Sequence, residues 1–211
     1  DRRTISHANR GNRHLRSLRM NHGPASSAGL TWPPLVRGTL VKRYKRFLAD
    51  VTLENGTTVT AHCPNTGSMT DCCEPGRPVY LSVHDNPQRK YLHTWELIQM
   101  PDSLVGVNTL VPNRLVKQAV RTGQVAELAG YAEVRSEVRM GARSRVDLML
   151  QDEKRGTCHV EIKNCTMVRN GRAYFPDAVT TRGLKHLHEL IDLVSTRNRS
   201  VMFYLIQRMD A

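Results

Sequence analysis

No apolar run in the chain approaches the roughly 18 residues that a membrane-spanning helix needs. The Arg-rich N-terminus also lacks the apolar core of a secretory leader. There is no Cys-x-x-Cys spacing. The five cysteines, Cys63, Cys72, Cys73, Cys158 and Cys165, are odd in number, so a disulfide framework is not expected and a reducing cytoplasm is the simpler setting. Acidic residues are scarce at one end. Eleven Lys and Arg lie between Asp1 and Arg46 with Asp1 as the lone acid, so this stretch carries +10 of the formal +12. Such a concentrated field favours a polyanion, and with the membrane disfavoured the expected partner is nucleic acid.

The 211 residues, 39% hydrophobic and 24% charged, are enough for one large domain or two small ones. Residues 1–34 show no periodicity and read as a basic, disordered arm. It is either an arm along phosphates or an extension without a role. From Val36 the pattern turns β-rich. Lys42-Arg43-Tyr44-Lys45-Arg46-Phe47 interleaves four cations with two aromatics, and Asn55-Gly56 between two β-prone runs predicts a hairpin. Further strands are expected at Pro78 to Val83 and Thr94 to Ile98. Several short strands in residues 35–100 predict a small barrel of the oligonucleotide-binding (OB) kind, with Lys42, Arg43, Lys45 and Arg46 as nucleic-acid contacts.

Residues 101–211 have a different texture. Pro112 to Leu128 has helical spacing, weakened by Gly123. Strands are predicted at Arg145 to Leu150 and His159 to Lys163. An amphipathic helix follows over Val179 to Val194, its apolar stripe on Leu184, Leu187, Leu190, Ile191 and Val194, and then a last buried strand at Val201 to Ile206. The expected class is therefore mixed α+β: an OB-like barrel followed by an α/β domain.

The chemistry is expected in Ser144-Arg145-Val146-Asp147-Leu148-Met149-Leu150 and Val160-Glu161-Ile162-Lys163. Strand side chains switch faces at every residue, so Glu161 and Lys163 share a face, and pairing the strands can set Asp147 beside them. Two adjacent carboxylates repel unless a divalent cation lies between them. Asp147 and Glu161, with Glu137 as a third carboxylate, are the candidate ligands of Mg²⁺ or Mn²⁺. Asp147, Glu161 and Lys163 are the candidate catalytic residues for phosphodiester cleavage. Arg182, Lys185 and His186 line the substrate side if the late helix turns its polar face there. The alternative is a solvated Glu/Lys pair on an ordinary strand.

Longer strings carry a family likeness. LVKRYKRFLAD (40–50), HCPNTGSM (62–69), RKYLHTWEL (89–97), VNT (107–109), FPDAVTT (175–181) and RGLKHLHEL (182–190) closely resemble the sugar fermentation stimulation protein A family, over about Leu35 to Arg208. The resemblance implies an OB-like N-terminal domain and a C-terminal domain similar to the PD-(D/E)XK nucleases, whose pattern falls on Asp147, Glu161 and Lys163, with Glu137 as an earlier acidic member. It also implies DNA binding, a role in regulating sugar use, notably maltose, in bacteria, and further helix and strand beyond Ala211. The arm before Leu35 lies outside it.

Other residues keep two readings. His62, Cys63, Cys72 and Cys73 are zinc ligands or, more simply, buried thiols beside a loop, since their spacing fits no standard site. Tyr44, Phe47 and Trp95 stack on bases or fill the barrel. Pro64-Asn65-Thr66-Gly67 reads as a tight turn whose amides face phosphate or solvent. For the whole chain, a Mg²⁺-dependent DNA endonuclease stands against a DNA-binding regulator on a nuclease-like scaffold, with single-stranded nucleic acid of either sugar as a further partner class.

Overall fold

The computed structural model describes residues 29–140, 144–178 and 180–211, and all of Arg182 except its side chain. Most of the basic arm, residues 1–28, lies outside this set.

Six strands build the first domain: β1 (Leu35–Tyr44), β2 (Leu48–Leu53), β3 (Thr58–His62), β4 (Pro78–Val83), β5 (His93–Gln99) and β6 (Leu104–Gly106). Antiparallel pairing runs β3-β2-β1-β4-β5, and a short parallel pairing of β3 with β5 closes these into a five-stranded barrel of the OB type. The Asn55-Gly56 turn joins β2 to β3 as predicted, with Gly56 at φ +83°, where a side chain would strain the backbone. Alternate residues of the strands point inward, and Leu40, Val51, Val79, Leu81, Trp95 and Ile98 form the barrel core. Trp95 is thus a core residue, its indole N–H donating to Leu97 O at 3.0 Å. The barrel runs past the boundary drawn at Met100, because β6 pairs with β5 and Val105 and Val107 complete the core.

The second domain is a mixed sheet in the order β12-β9-β8-β7, made of β7 (Glu133–Met140), β8 (Ser144–Asp152), β9 (Gly156–Cys165) and β12 (Asn198–Ile206). Only β12 runs parallel to its neighbour, β9. A short hairpin, β10 (Met167–Arg169) and β11 (Arg172–Tyr174), follows β9 in the chain. Helix α1 (Val111–Arg121) presses Val116 and Val120 onto Leu148, Leu150, Val160 and Ile162. At about 25 cal/mol per Å² of apolar surface this burial is the main term holding α1 on the sheet. The predicted long helix is shorter than its pattern. It stops at Thr122-Gly123, where Gly123 takes φ +72°, and resumes as a single 3-10 turn at Ala126–Leu128.

Helix α2 (Thr181–Asp192) starts at Thr180, whose hydroxyl accepts from Gly183 N at 3.1 Å. Its stripe does not face the sheet as its pattern suggests: Leu190 is buried, whereas Leu184, Leu187, Ile191 and Val194 are exposed. Two contacts set this rotation: Ser200 Oγ donates to Leu190 O, and His186 reaches Glu161 on β9. Nor is the last strand buried. β12 is a sheet edge, and Tyr204 and Ile206 stand exposed on it.

Candidate active site

The three predicted carboxylates lie in one row across the sheet. Ser136–Leu148 and Val138–Val146 pairing flanks Glu137 and Asp147, which puts them opposite each other on β7 and β8. The β8–β9 register, ending at Leu148–Val160, points Asp147 towards Glu161. Beyond that pair the strands part, and Asp147 fills the gap: its Oδ2 accepts from Ile162 N at 2.6 Å. Leu148, Val160 and Ile162 pack towards α1, and alternation along β9 puts Glu161 and Lys163 on its other face, while Asp147 stays within reach of Asn113 on α1.

Two residues the strand pattern does not reveal complete the cluster. Asn113, in the first turn of α1, donates to Asp147 Oδ1 at 2.8 Å and to Glu137 Oε1 at 3.4 Å, tying α1 to the central carboxylate and to the exposed one. His186 places Nδ1 2.7 Å from Glu161 Oε1, the same oxygen that accepts from Lys163 Nζ at 2.5 Å. Glu161 is buried and carries two basic partners; Glu137 is exposed. His186 had a readable signal, since its helix has a polar face. Asn113 had none, because an Asn near a helix start usually serves as a local cap.

Burial pushes the Asp147 carboxyl above the usual carboxylate range, and the neighbouring Glu161 charge adds to the rise. The Ile162 amide, Asn113 and Lys163 oppose it. Around the row lies an open cleft of about 750 Å³, walled by Thr109 and Asn113 on one side and by Gly183, Lys185 and His186 on the other. Among the described residues no three His, Cys, Asp or Glu side chains converge as a ready-made metal cage. The donor set still suits a hard cation, because Mg²⁺ commonly takes only one or two carboxylates and keeps several waters. The zinc alternative at His62, Cys63, Cys72 and Cys73 is not supported. Cys63 is packed in the barrel core beside Met69 Sδ, and burial pushes the Cys72 thiol up to about 12.

Two family models match almost the whole of this arrangement, an SfsA N-terminal OB domain over residues 41–107 and a sugar fermentation stimulation protein RE domain over residues 110–211. The chain belongs to the sugar fermentation stimulation protein (SfsA) family. Homologues bearing that name from Geobacter sulfurreducens and Pelobacter propionicus are each 55% identical, over 84% and 85% of this chain and 75% and 77% of their own length. One from Shewanella piezotolerans is 50% identical, over 83% of this chain and 76% of its own. Among solved structures, that of Pyrococcus furiosus SfsA in complex with Ca²⁺ has the same fold. Its TM-score is 0.75 at 23% identity, and it covers 84% of this chain and 75% of that one.

In this SfsA chain the basic cluster of the barrel divides by direction. Lys42, Lys45 and Arg46 are exposed at the β1–β2 turn, where Lys45 and Arg46 both take positive φ. Arg43 turns inward. Its Nη2 donates to Arg46 O, Asn65 O and Gly67 O at 2.7, 2.9 and 2.9 Å, so this guanidinium staples the Pro64–Gly67 loop rather than facing a ligand. The loop is tight, with Asn65 Oδ1 accepting from Gly67 N, and Asn65, Thr66 and Gly67 line a recess together with Lys163. Phe47 is exposed beside the cations, while Tyr44 donates to Asp50 at 3.0 Å. On α2, Lys185 lines the cleft and pairs with Glu189 at 3.5 Å; the Arg182 side chain lies outside the described residues. No helix among the described residues is long and apolar enough to cross a membrane.

Proposed function

We propose that this chain is a cytoplasmic, DNA-binding, metal-dependent endonuclease of the PD-(D/E)XK type. The observation that supports this most is the row Glu137–Asp147–Glu161, with Lys163 on the face of Glu161, in a cleft open to a polymer. Bringing the half-buried Asp147 against the buried Glu161 is unfavourable on its own, so their presence beside a lysine and a histidine suits a charged ligand better than a packing role. Asp147 and Glu161 would hold Mg²⁺ or Mn²⁺, with Glu137 reaching in from the exposed end. The Pyrococcus furiosus SfsA structure is a complex with Ca²⁺, an oxygen-seeking cation of the same class. When bound, the ion lowers the pKa of water and offsets charge growing on the phosphate. Lys163 would orient the attacking water and offset negative charge on the pentacoordinate transition state. Asn113 and His186 fix the carboxylates, and Lys42, Lys45, Arg46 and Lys185 hold the strand by its phosphates.

The test is cleavage of plasmid and single-stranded DNA with Mg²⁺ or Mn²⁺. Asp147→Ala is expected to lower the rate by about 10²-fold or more while DNA binding in EDTA persists. The second reading, a non-catalytic DNA-binding regulator of sugar (maltose) genes, draws on the lack of a ready-made metal cage among the described residues. Folded wild-type protein that binds DNA and cleaves none with either metal would select it.

A further inference from the structure

A second recess, of about 310 Å³, opens on the barrel side of α1. Its floor is polar and ordered. Glu96 is buried, with Oε1 accepting from Ser82 Oγ at 2.7 Å and Oε2 from Asn108 Nδ2 at 2.6 Å. Thr94 Oγ1 lies 3.0 Å from His84 Nε2 and accepts from Arg89 Nη2 at 3.3 Å, which holds that guanidinium over the recess. Arg114 enters from α1. Among the described residues neither arginine has a carboxylate within 4.0 Å. The rim is apolar: Leu30 and Pro33 flank Trp32, whose indole is partly exposed, and Leu110 and Val111 face them. Burial and the Arg89 charge lower the pKa of His62, so this fourth wall stays neutral at neutral pH.

These walls ask for a ligand with three different faces. A bare anion would suit the arginines but meet the Glu96 carboxylate. An apolar ligand would suit Trp32 but leave two guanidinium groups and Glu96 unanswered. A nucleotide matches all three, with a flat base against the indole, an amino group donating to Glu96 and a phosphate on the arginines. The space suits one nucleotide and excludes a paired base step. The place matters as much as the chemistry. Leu110, Val111 and Arg114 line this recess, whereas Thr109 and Asn113, interleaved with them in the same turn, line the catalytic cleft.

Building on the nuclease reading, we propose that the recess takes one unpaired nucleotide of the bound strand, its base on Trp32 and its phosphate on Arg89 and Arg114, while a neighbouring phosphate crosses the first turn of α1 to reach Asp147 and Lys163. The substrate strand is therefore single at this point. The energy of extruding a base from a duplex selects unpaired DNA over paired.

Trp32 and Trp95 are the two tryptophans of the chain, and Trp95 is fully buried, so ligand-dependent quenching reports Trp32. The experiment titrates the full chain in EDTA with short oligo(dA), with the same sequence paired to oligo(dT), and with dAMP, reading quenching and the anisotropy of labelled DNA. Oligo(dA) is expected to quench Trp32 and to bind more tightly than the duplex. Trp32→Ala and the double variant Arg89→Gln/Arg114→Gln should each weaken oligo(dA) binding by about 10-fold, with unchanged melting curves showing that they fold. Oligo(dA) that binds without quenching, or with the same affinity in both pocket variants, overturns the pocket and leaves DNA binding standing. Quenching by dAMP but not by oligo(dA) overturns the strand assignment and marks a free-nucleotide site. Cleavage by wild type in Mg²⁺ is scored separately, so a failed nuclease reading is not confused with a failed pocket.

Discussion

At the scale of single residues, Asp147 carries the most constraint. It accepts from the Ile162 amide on one oxygen and from Asn113 on the other, so its carboxylate is aimed before any ligand arrives. Asn113 is the less obvious half of that arrangement. Removing it leaves a half-buried carboxylate short of one donor and frees Glu137 from α1. Asn113→Ala is expected to reduce metal-dependent cleavage about 10-fold, chiefly by raising the metal concentration needed for half-maximal rate, as with other groups that orient ligands. A metal titration of the cleavage rate checks this, and an unchanged midpoint would limit Asn113 to a helix-start role. The strand residues of the site were legible because period-two alternation is local: Glu161-x-Lys163 must share a face whatever the fold. Asn113 was not, since its position depends on how α1 docks some 34 positions away in sequence from Asp147. The loop-holding bonds of Arg43 were hidden for a related reason. Sequence shows a cation among cations, and only the folded loop shows three carbonyls converging on it.

At the scale of elements, the β8–β9 hairpin sets the register that assembles the row. Its turn is closed by Asp152, whose Oδ1 accepts from Lys154 N and Arg155 N at 2.9 and 3.1 Å, and by Gly156 at φ +77°. A Cβ on Gly156 would sit 2.0 Å from Arg197 O, a backbone atom that cannot yield without moving the start of β12. Gly156→Ala therefore combines left-handed strain with a backbone clash and is expected to cost roughly 3 kcal/mol or more of stability. Urea unfolding of the variant measures it. Strands β1 to β5, β8, β9 and β12 were readable from alternation and from Asn55-Gly56, whereas β6, β7 with its Glu137, and the β10–β11 hairpin were not. The rotation of α2 was not. An apolar stripe read from the sequence turns to the nearest core, whereas His186 and the Ser200–Leu190 bond hold the polar face towards Glu161. The length of α1 was over-read, because Gly123 ends the helix outright where the pattern suggested only a weakening.

At the scale of the molecule, exposed positive charge collects where the barrel meets the cleft. Lys42, Lys45 and Arg46 stand at the turn whose Arg43 holds the Asn65–Gly67 loop, and that loop shares a recess with Lys163. Replacing Lys42, Lys45 and Arg46 by Ala, with Arg43 retained to keep the loop, is expected to lower the slope of log affinity against log salt for single-stranded DNA by about 2. Binding measured across a salt series decides it, and an unchanged slope removes the turn from the interface. The same loop is also held from the other domain: Ser68 Oγ and Met69 N both donate to Asp177 Oδ2, at 2.8 and 3.2 Å, and Thr109 Oγ1 donates to Pro64 O at 2.6 Å. Barrel and sheet are thus not interchangeable parts. A chimera that takes its barrel from one homologue and its sheet from another must keep the loop and its Asp177 partner as a matched set. Separated from that partner, the loop would no longer seat against Lys163, and a hybrid of two sound halves would fold without a working cleft.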